Sequence, residues 1–259
     1  MNQPAALAIF AHPDDIEFRA AGTLLLLARR GWALHYCNLS CGNLGSTTMS
    51  AARTAVVRRR EARASARLLG ATWHPPIARD LELFYTDRAI RQVCALVRRV
   101  RPAIVLTHPP QDYMEDHTVA CRLAVTGAFA RGMKNYRSIP ARRPTLQSLT
   151  VYHSMPHGLC DPLRQEWRPD MWVNTTAVQR ERIAALACHR SQGAWLDATQ
   201  RIDSYLAAAA AEARELGRRS EKFTHAEGWT RHLHLGFGAE SDDPLRAALG
   251  RDWVVARPA

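Results

Sequence analysis

Lysine is nearly absent from this chain of 259 residues: Lys134 and Lys222 are the only two among 35 basic residues. The remainder are arginines scattered along the sequence, with short clusters at Arg58-Arg59-Arg60 and Arg142-Arg143. The net charge of +11 therefore reads as biased residue usage and not as a nucleic-acid surface, and no nucleic-acid partner is expected. A basic surface would still favour small anionic substrates near the mouth of a site. Long apolar runs are also missing. None approaches the ~18 residues that a bilayer span needs, so no membrane partner is expected. The N-terminus lacks a basic region followed by an apolar stretch, which leaves a soluble, cytoplasmic protein as the expectation. Among the six cysteines no Cys-x-x-Cys pair occurs. That argues against a cysteine-clustered metal site and for reduced, mostly buried thiols. Cys41, near a predicted strand end, is the one thiol that could reach a site there. No internal repeat is present.

What is there is apolar residue enough, 47%, for a substantial core in one large α/β domain spanning 1–259, with 222–259 as a C-terminal extension packed on the domain or on a neighbouring subunit. Ala5–Ala11, Ala33–Leu39, Thr72–His74, Ala103–Thr107 and Ser148–His153 read as strands. Arg19–Arg30, Ser50–Leu69, Asp87–Val100, Asp116–Arg131, Thr176–His189 and Ala198–Arg218 read as helices. Gly31 follows the first helix and Gly70 the second, where C-cap glycines belong. Strand alternating with helix at this spacing predicts a doubly wound, mostly parallel, Rossmann-like sheet with helices on both faces. The tail beyond Lys222 holds Trp229, Phe237 and Trp253 and is too aromatic to be a disordered segment.

Two polar clusters fall where apolar strands stop. Ala11-His12-Pro13-Asp14-Asp15-Ile16-Glu17 follows the first strand, and Asp112-Tyr113-Met114-Glu115-Asp116-His117 follows Ala103–Thr107. Right-handed crossovers bring the C-terminal ends of such strands to one edge, where α/β sheets place their chemistry. Imidazole and carboxylate groups there suit a hydrolytic zinc site, with an open position for water and a spare carboxylate for its proton. An ordinary loop, with Asp15 capping a helix and Pro13 setting a turn, accounts for the carboxylates but leaves His12 unexplained.

His12-Pro13-Asp14-Asp15-Ile16-Glu17 resembles the signature of the LmbE-like, PIG-L-type zinc-dependent N-acetylglucosaminyl deacetylases. Gly22-Thr23-Leu24, Ser40-Cys41-Gly42-Asn43-Leu44-Gly45, Arg58-Arg59-Arg60-Glu61-Ala62, His189-Arg190-Ser191-Gln192 and Ala226-Glu227-Gly228-Trp229 resemble further motifs of that family in order, over roughly residues 5–237. The resemblance implies Zn²⁺ held by His12, Asp15 and His117, with Asp14 as general base and Arg58 as a substrate contact braced by Glu61. It implies removal of an acetyl or other acyl group from an N-acetylglucosamine-type sugar or conjugate, a small-molecule partner, and a tendency to homo-oligomerise. Alternatives are an amidase on a larger amide, such as a thiol conjugate or antibiotic, and a catalytically weak metal-binding relative. One departure matters. Many members carry His-Pro-Asp-His where this chain has Met114-Glu115-Asp116-His117, and Met114 can neither donate a proton nor steady an oxyanion. His157 and His153, after the fifth predicted strand, and Tyr113 are the candidate substitutes, the alternative being that the metal and Asp14 suffice with Asp14 shuttling the proton; Asp116 is a candidate to orient a ligand or a water. His35, His74 and His108 read as structural or exposed, with His108 the best placed of the three.

Overall fold

The computed structural model describes residues 3–200, 205–251 and 253–256. Strand β1 (Ala5–Phe10) is central and buried along its whole length. It pairs in parallel with β2 (Ala33–Asn38) and with β4 (Ile104–Thr107); β2 pairs with β3 (Ala71–His74), and β4 with β5 (Thr150–Ser154). Beyond β5 the sheet turns antiparallel through β7 (Ala226–Arg231), β6 (Met171–Asn174) and β8 (Val254–Ala256), in the order β3-β2-β1-β4-β5-β7-β6-β8. The α/β, mostly parallel architecture is as expected. Residues 226–231, inside the segment read as a packed extension, lie within the sheet between β5 and β6. The sequence reading missed β6, β7 and β8 because Ala-Glu-Gly-Trp-Thr-Arg shows no apolar alternation; Glu227 is buried there by partners far away in the chain.

Both sheet faces are covered, which is why β1 reads as a continuous apolar run. Ala6, Ala8 and Phe10 face helices α2 (Ala21–Arg29), α3 (Ala51–Leu68) and α6 (Gln179–Leu186). Leu7 and Ile9 face α4 (Asp87–Val100) and α5 (Glu115–Phe129). Ser50 caps α3 by accepting from Arg53 N, and Thr86 caps α4 by accepting from Ala89 N, each worth about 1 kcal/mol. The helix read as Arg19–Arg30 is two: α1 (Asp15–Arg19), then α2, broken at Ala20. Of the helix read as Ala198–Arg218 the structure describes α8 (Tyr205–Arg219), and α7 (Arg190–Gln200) precedes it.

Several motifs turn out to be joints between these elements. Glu227 of β7 accepts from Gly22 N, Thr23 N and Thr23 Oγ1 at 2.8, 2.8 and 2.6 Å, a carboxylate on the first turn of α2. The Trp229 indole N–H donates to the same Thr23 hydroxyl. A Cβ at Gly22 would lie 2.5 Å from Thr175 and 2.8 Å from Glu227, so only glycine admits this contact. The Ser40–Gly45 loop wraps around Asp80, which accepts from Ser40 Oγ, Gly42 N and Leu44 N.

Candidate active site

Register carries the two polar clusters to one place. Ile9 pairs with Thr107, so the chain leaves β1 and β4 side by side. Ala11 N then donates to His108 Nε2 at 3.0 Å. The His12–Asp15 turn closes on itself, with His12 N donating to Asp15 Oδ2 at 2.6 Å. Asp14 sits at its apex with φ 118°, a left-handed conformation costly for a non-glycine residue and of the kind that clusters at functional sites.

Around Asp15 stand three imidazoles: His108, whose Nε2 lies 3.2 Å from Asp15 Oδ2, and His12 and His117, each gripped from behind by another carboxylate. His12 Nε2 lies 3.0 Å from Asp116 Oδ2, and its Nδ1 lies 3.6 Å from Asp15 Oδ2. His117 Nδ1 lies 3.0 Å from Asp112 Oδ1, and its Nε2 lies 3.5 Å from Asp15 Oδ1. This is the arrangement in which an outer carboxylate fixes each ring and leaves the other nitrogen for a cation. One ligand atom from each of His12, Asp15 and His117 falls within 4.8 Å of the others. The donor set, two imidazoles and a carboxylate with second carboxylates behind, fits zinc. A second grouping, His108, Asp112 and His117, meets the same distance test, but there Asp112 already occupies His117 Nδ1 and Ala11 N occupies His108 Nε2. Burial alone would depress His12, yet hydrogen bonds to Asp116 and Asp15 reverse this and raise it to about 10. Burial would raise Asp15, but the neighbouring His117 and His108 hold it well below the usual carboxylate range.

Asp14 is buried at 6% exposure on the wall of the same cavity, which has a volume of about 250 Å³. Tyr205 Oη donates to its Oδ2 at 2.7 Å, and Arg58 Nη2 lies 3.6 Å from its Oδ1. Desolvation pushes Asp14 up, to about 6, against the pull of Arg58. Arg58 itself is 2% exposed. Its Nη1 donates to Gln192 and its Nη2 to the Pro13 carbonyl, and Gly42 and Gly45 lie against the guanidinium so closely that a Cβ would come within 2.7 Å. As built, it braces the Asp14 turn. Glu61, read as its brace, instead accepts from Ser191 N and Oγ at the start of α7. The His189–Gln192 motif is thus the partner of the Arg58–Glu61 motif.

Of the candidate substitutes for Met114, His157 and Tyr113 line the cavity and His153 does not. His153 is buried behind β4, its Nδ1 on the His108 carbonyl at 2.8 Å and its Nε2 2.9 Å from His232 Nδ1. As a β5 residue its side chain points under the neighbouring strand, which corrects the expectation that it reaches the substrate. Asp116 is 1% exposed and accepts from Leu81 N as well as facing His12, the geometry of an orienting carboxylate. Cys41 faces a separate cavity behind the loop, with its thiol on Asn43 Oδ1.

Sequence reasoning missed Tyr205, Arg19 and Asp112, and undervalued His108, which stacks on His117 at 4.1 Å between centroids. Asp112 and His108 carried a signal, a polar residue just past a strand end. Tyr205 carried none; an alanine-rich helix gives no hint that its first residue reaches across to Asp14.

The model of the family described as PIG-L: GlcNAc-PI de-N-acetylase matches residues 7–129. The 4-oxalmesaconate hydratase of Pseudomonas putida is 33% identical over 205 residues, 74% of this chain and 76% of that protein. The diacetylchitobiose deacetylase of Thermococcus kodakarensis is 28% identical over 196 residues, 72% of this chain and 69% of that one. The crystal structure of the 4-carboxy-2-hydroxymuconate hydratase of Pseudomonas putida superposes with a TM-score of 0.72 at 27% identity, covering 89% of this chain and 97% of that one. The N,N'-diacetylchitobiose deacetylase of Pyrococcus horikoshii gives a TM-score of 0.74 at 22% identity over 94% and 89% of the two chains, a likeness of fold alone. The chain belongs to the PIG-L, or LmbE-like, family. Its relatives include deacetylases and a hydratase. Among the described residues no helix is long and apolar enough to cross a membrane.

Proposed function

We propose that the protein is a zinc-dependent hydrolase that removes an acetyl or other small acyl group from the nitrogen of an amino sugar or its conjugate, and works in the cytoplasm as a single catalytic domain spanning 1–259. The observation that carries the reading is the convergence of His12, Asp15 and His117 on one point beside Asp14 at the wall of the cavity. His12, Asp15 and His117 would hold the metal, which when bound supplies a Lewis acid for the amide carbonyl and lowers the pKa of water. Asp116 and Asp112 would keep the two rings in register. Asp14 takes the proton of the attacking water and returns it to the departing nitrogen. Tyr205 and Arg58 aim that carboxylate, and the lift that burial gives its pKa makes it a better base than a solvated aspartate.

A second reading has its own support. Both sugar deacetylation and hydration of an unsaturated acid begin with an activated water, but only the former must protonate a poor leaving group. With methionine at position 114 that step falls to Asp14 alone, and the relative at 33% identity is a hydratase. Zinc-loaded protein should be offered N-acetylglucosamine, diacetylchitobiose and 4-carboxy-2-hydroxymuconate in parallel, reading released acetate and loss of conjugated absorbance. Acetate release establishes the first reading; turnover of the unsaturated acid alone replaces it with the second.

A further inference from the structure

The cavity wall carries two groups that the proposed reaction leaves unused, Arg19 and His157, with Glu212 behind them. Arg19, the last residue of α1, is buried, and its Nη1 donates to Glu212 of α8. Its Nη2 lies 2.7 Å from Nδ1 of His157. The imidazole is flanked by Phe18 and Tyr113, with ring centroids at 5.6 and 5.9 Å, and 42% of its side chain is open.

A guanidinium has N–H donors and no acceptor. His157 Nδ1 must therefore accept, and a neutral ring then carries its proton on Nε2. The charged ring is disfavoured as well. Protonating Nδ1 would set an N–H against an N–H of Arg19, and desolvation followed by Arg19 lowers His157 to about 4. Among the described residues no hydrogen bond occupies Nε2.

We propose that Arg19, held by Glu212, is a positioning residue that locks His157 as the Nε2–H tautomer, so that this imidazole meets a substrate oxygen in the cavity as the hydrogen-bond donor that Met114 cannot be. The tautomer is independent of the reaction catalysed; the donor role rests on the functional reading above. Glu212 matters because it holds Nη1 of the guanidinium while Nη2 meets His157. The same device recurs on the far side of the sheet, where Arg99 Nη2 meets His74 Nδ1.

The test uses full-length protein labelled with ¹⁵N-histidine, loaded with zinc, and acetohydroxamate as the probe. Long-range ¹H–¹⁵N spectra, with the His157 signals assigned by their loss in His157→Gln, should show a protonated Nε2 and a bare Nδ1. Arg19→Lys, which also can only donate, should keep that pattern, and Arg19→Met should give a tautomer mixture. Acetohydroxamate should move the Nε2–H proton downfield. His157→Ala should weaken its binding about five- to tenfold, the scale of one hydrogen bond, with zinc content unchanged. An Nδ1–H ring in the wild type, or an unaltered spectrum in Arg19→Met, overturns the positioning role. Undiminished acetohydroxamate binding by zinc-replete His157→Ala overturns the donor role. Failure to bind zinc would instead remove the functional reading, and the spectra would still decide the tautomer.

Discussion

Two stacked histidine pairs lie among the described residues, and the charges around them are opposite in sign. His108 and His117 stack with centroids 4.1 Å apart and planes 12° apart; His35 and His74 do so at 5.2 Å and 18°. The rings are alike and their neighbours are not. The first pair stands among Asp15 and Asp112, with Asp116 close by on His12. The second has Arg99 against it and no carboxylate partner in any hydrogen bond or ion pair of the described residues. Burial, then Arg99, push His74 down to about 3 and lower His35. Carboxylates around stacked imidazoles suit them to a neighbouring cation, whereas an arginine in the same position leaves the rings as neutral hydrogen-bonded packing.

The sharpest way to break this contrast is to load the protein with zinc. One equivalent should bind, and His117→Ala should lose it while His74→Ala keeps it, as read by metal analysis after dialysis. Retention of a full equivalent in His117→Ala would end the assignment. Next in size, Asp14→Asn should keep its zinc and lose turnover by about a hundredfold or more, the scale of a positioned base. Loss of zinc in that variant would make Asp14 a ligand instead.

The His35–His74 pair predicts an acid-sensitive term in stability. Its folded pKa values lie below the unfolded value of about 6.5, so the unfolded chain takes up protons that the folded chain refuses. The stabilisation is intact above about pH 6.5 and is lost as pH falls towards 3. For His74 the loss by pH 4 is at most about 3 kcal/mol. Urea midpoints between pH 7 and 4 should fall more steeply for the wild type than for His74→Phe; parallel curves would refute the account. The smallest effect concerns aim. Tyr205→Phe removes one hydrogen bond from Asp14 and should lower kcat about three- to tenfold with KM and zinc content little changed. A change confined to KM would move Tyr205 to substrate binding.

Legibility followed the range of the forces involved. The parallel half, β1 to β5 with its helices, was readable because apolar runs and helix stops such as Gly31 and Gly70 act within a few residues. The antiparallel strands β6, β7 and β8 were not, since Glu227 and Trp229 are paid for by Thr23, some two hundred residues away. Arg58 shows the same limit: its place in the family motif was plain, but its burial under Gly42 and its hold on the Pro13 carbonyl required the folded chain.

By itself the sequence determined the family, the parallel sheet and the two clusters at its edge, because strand ends and the residues just after them are adjacent in the chain. Only the tertiary structure decided that Asp112 and Asp116 stand behind the two rings, that Tyr205 and Arg58 grip Asp14, and that His157 reaches the cavity while His153 does not. Those choices depend on which side chain faces which across strands and helices, and spacing along the chain does not encode that direction.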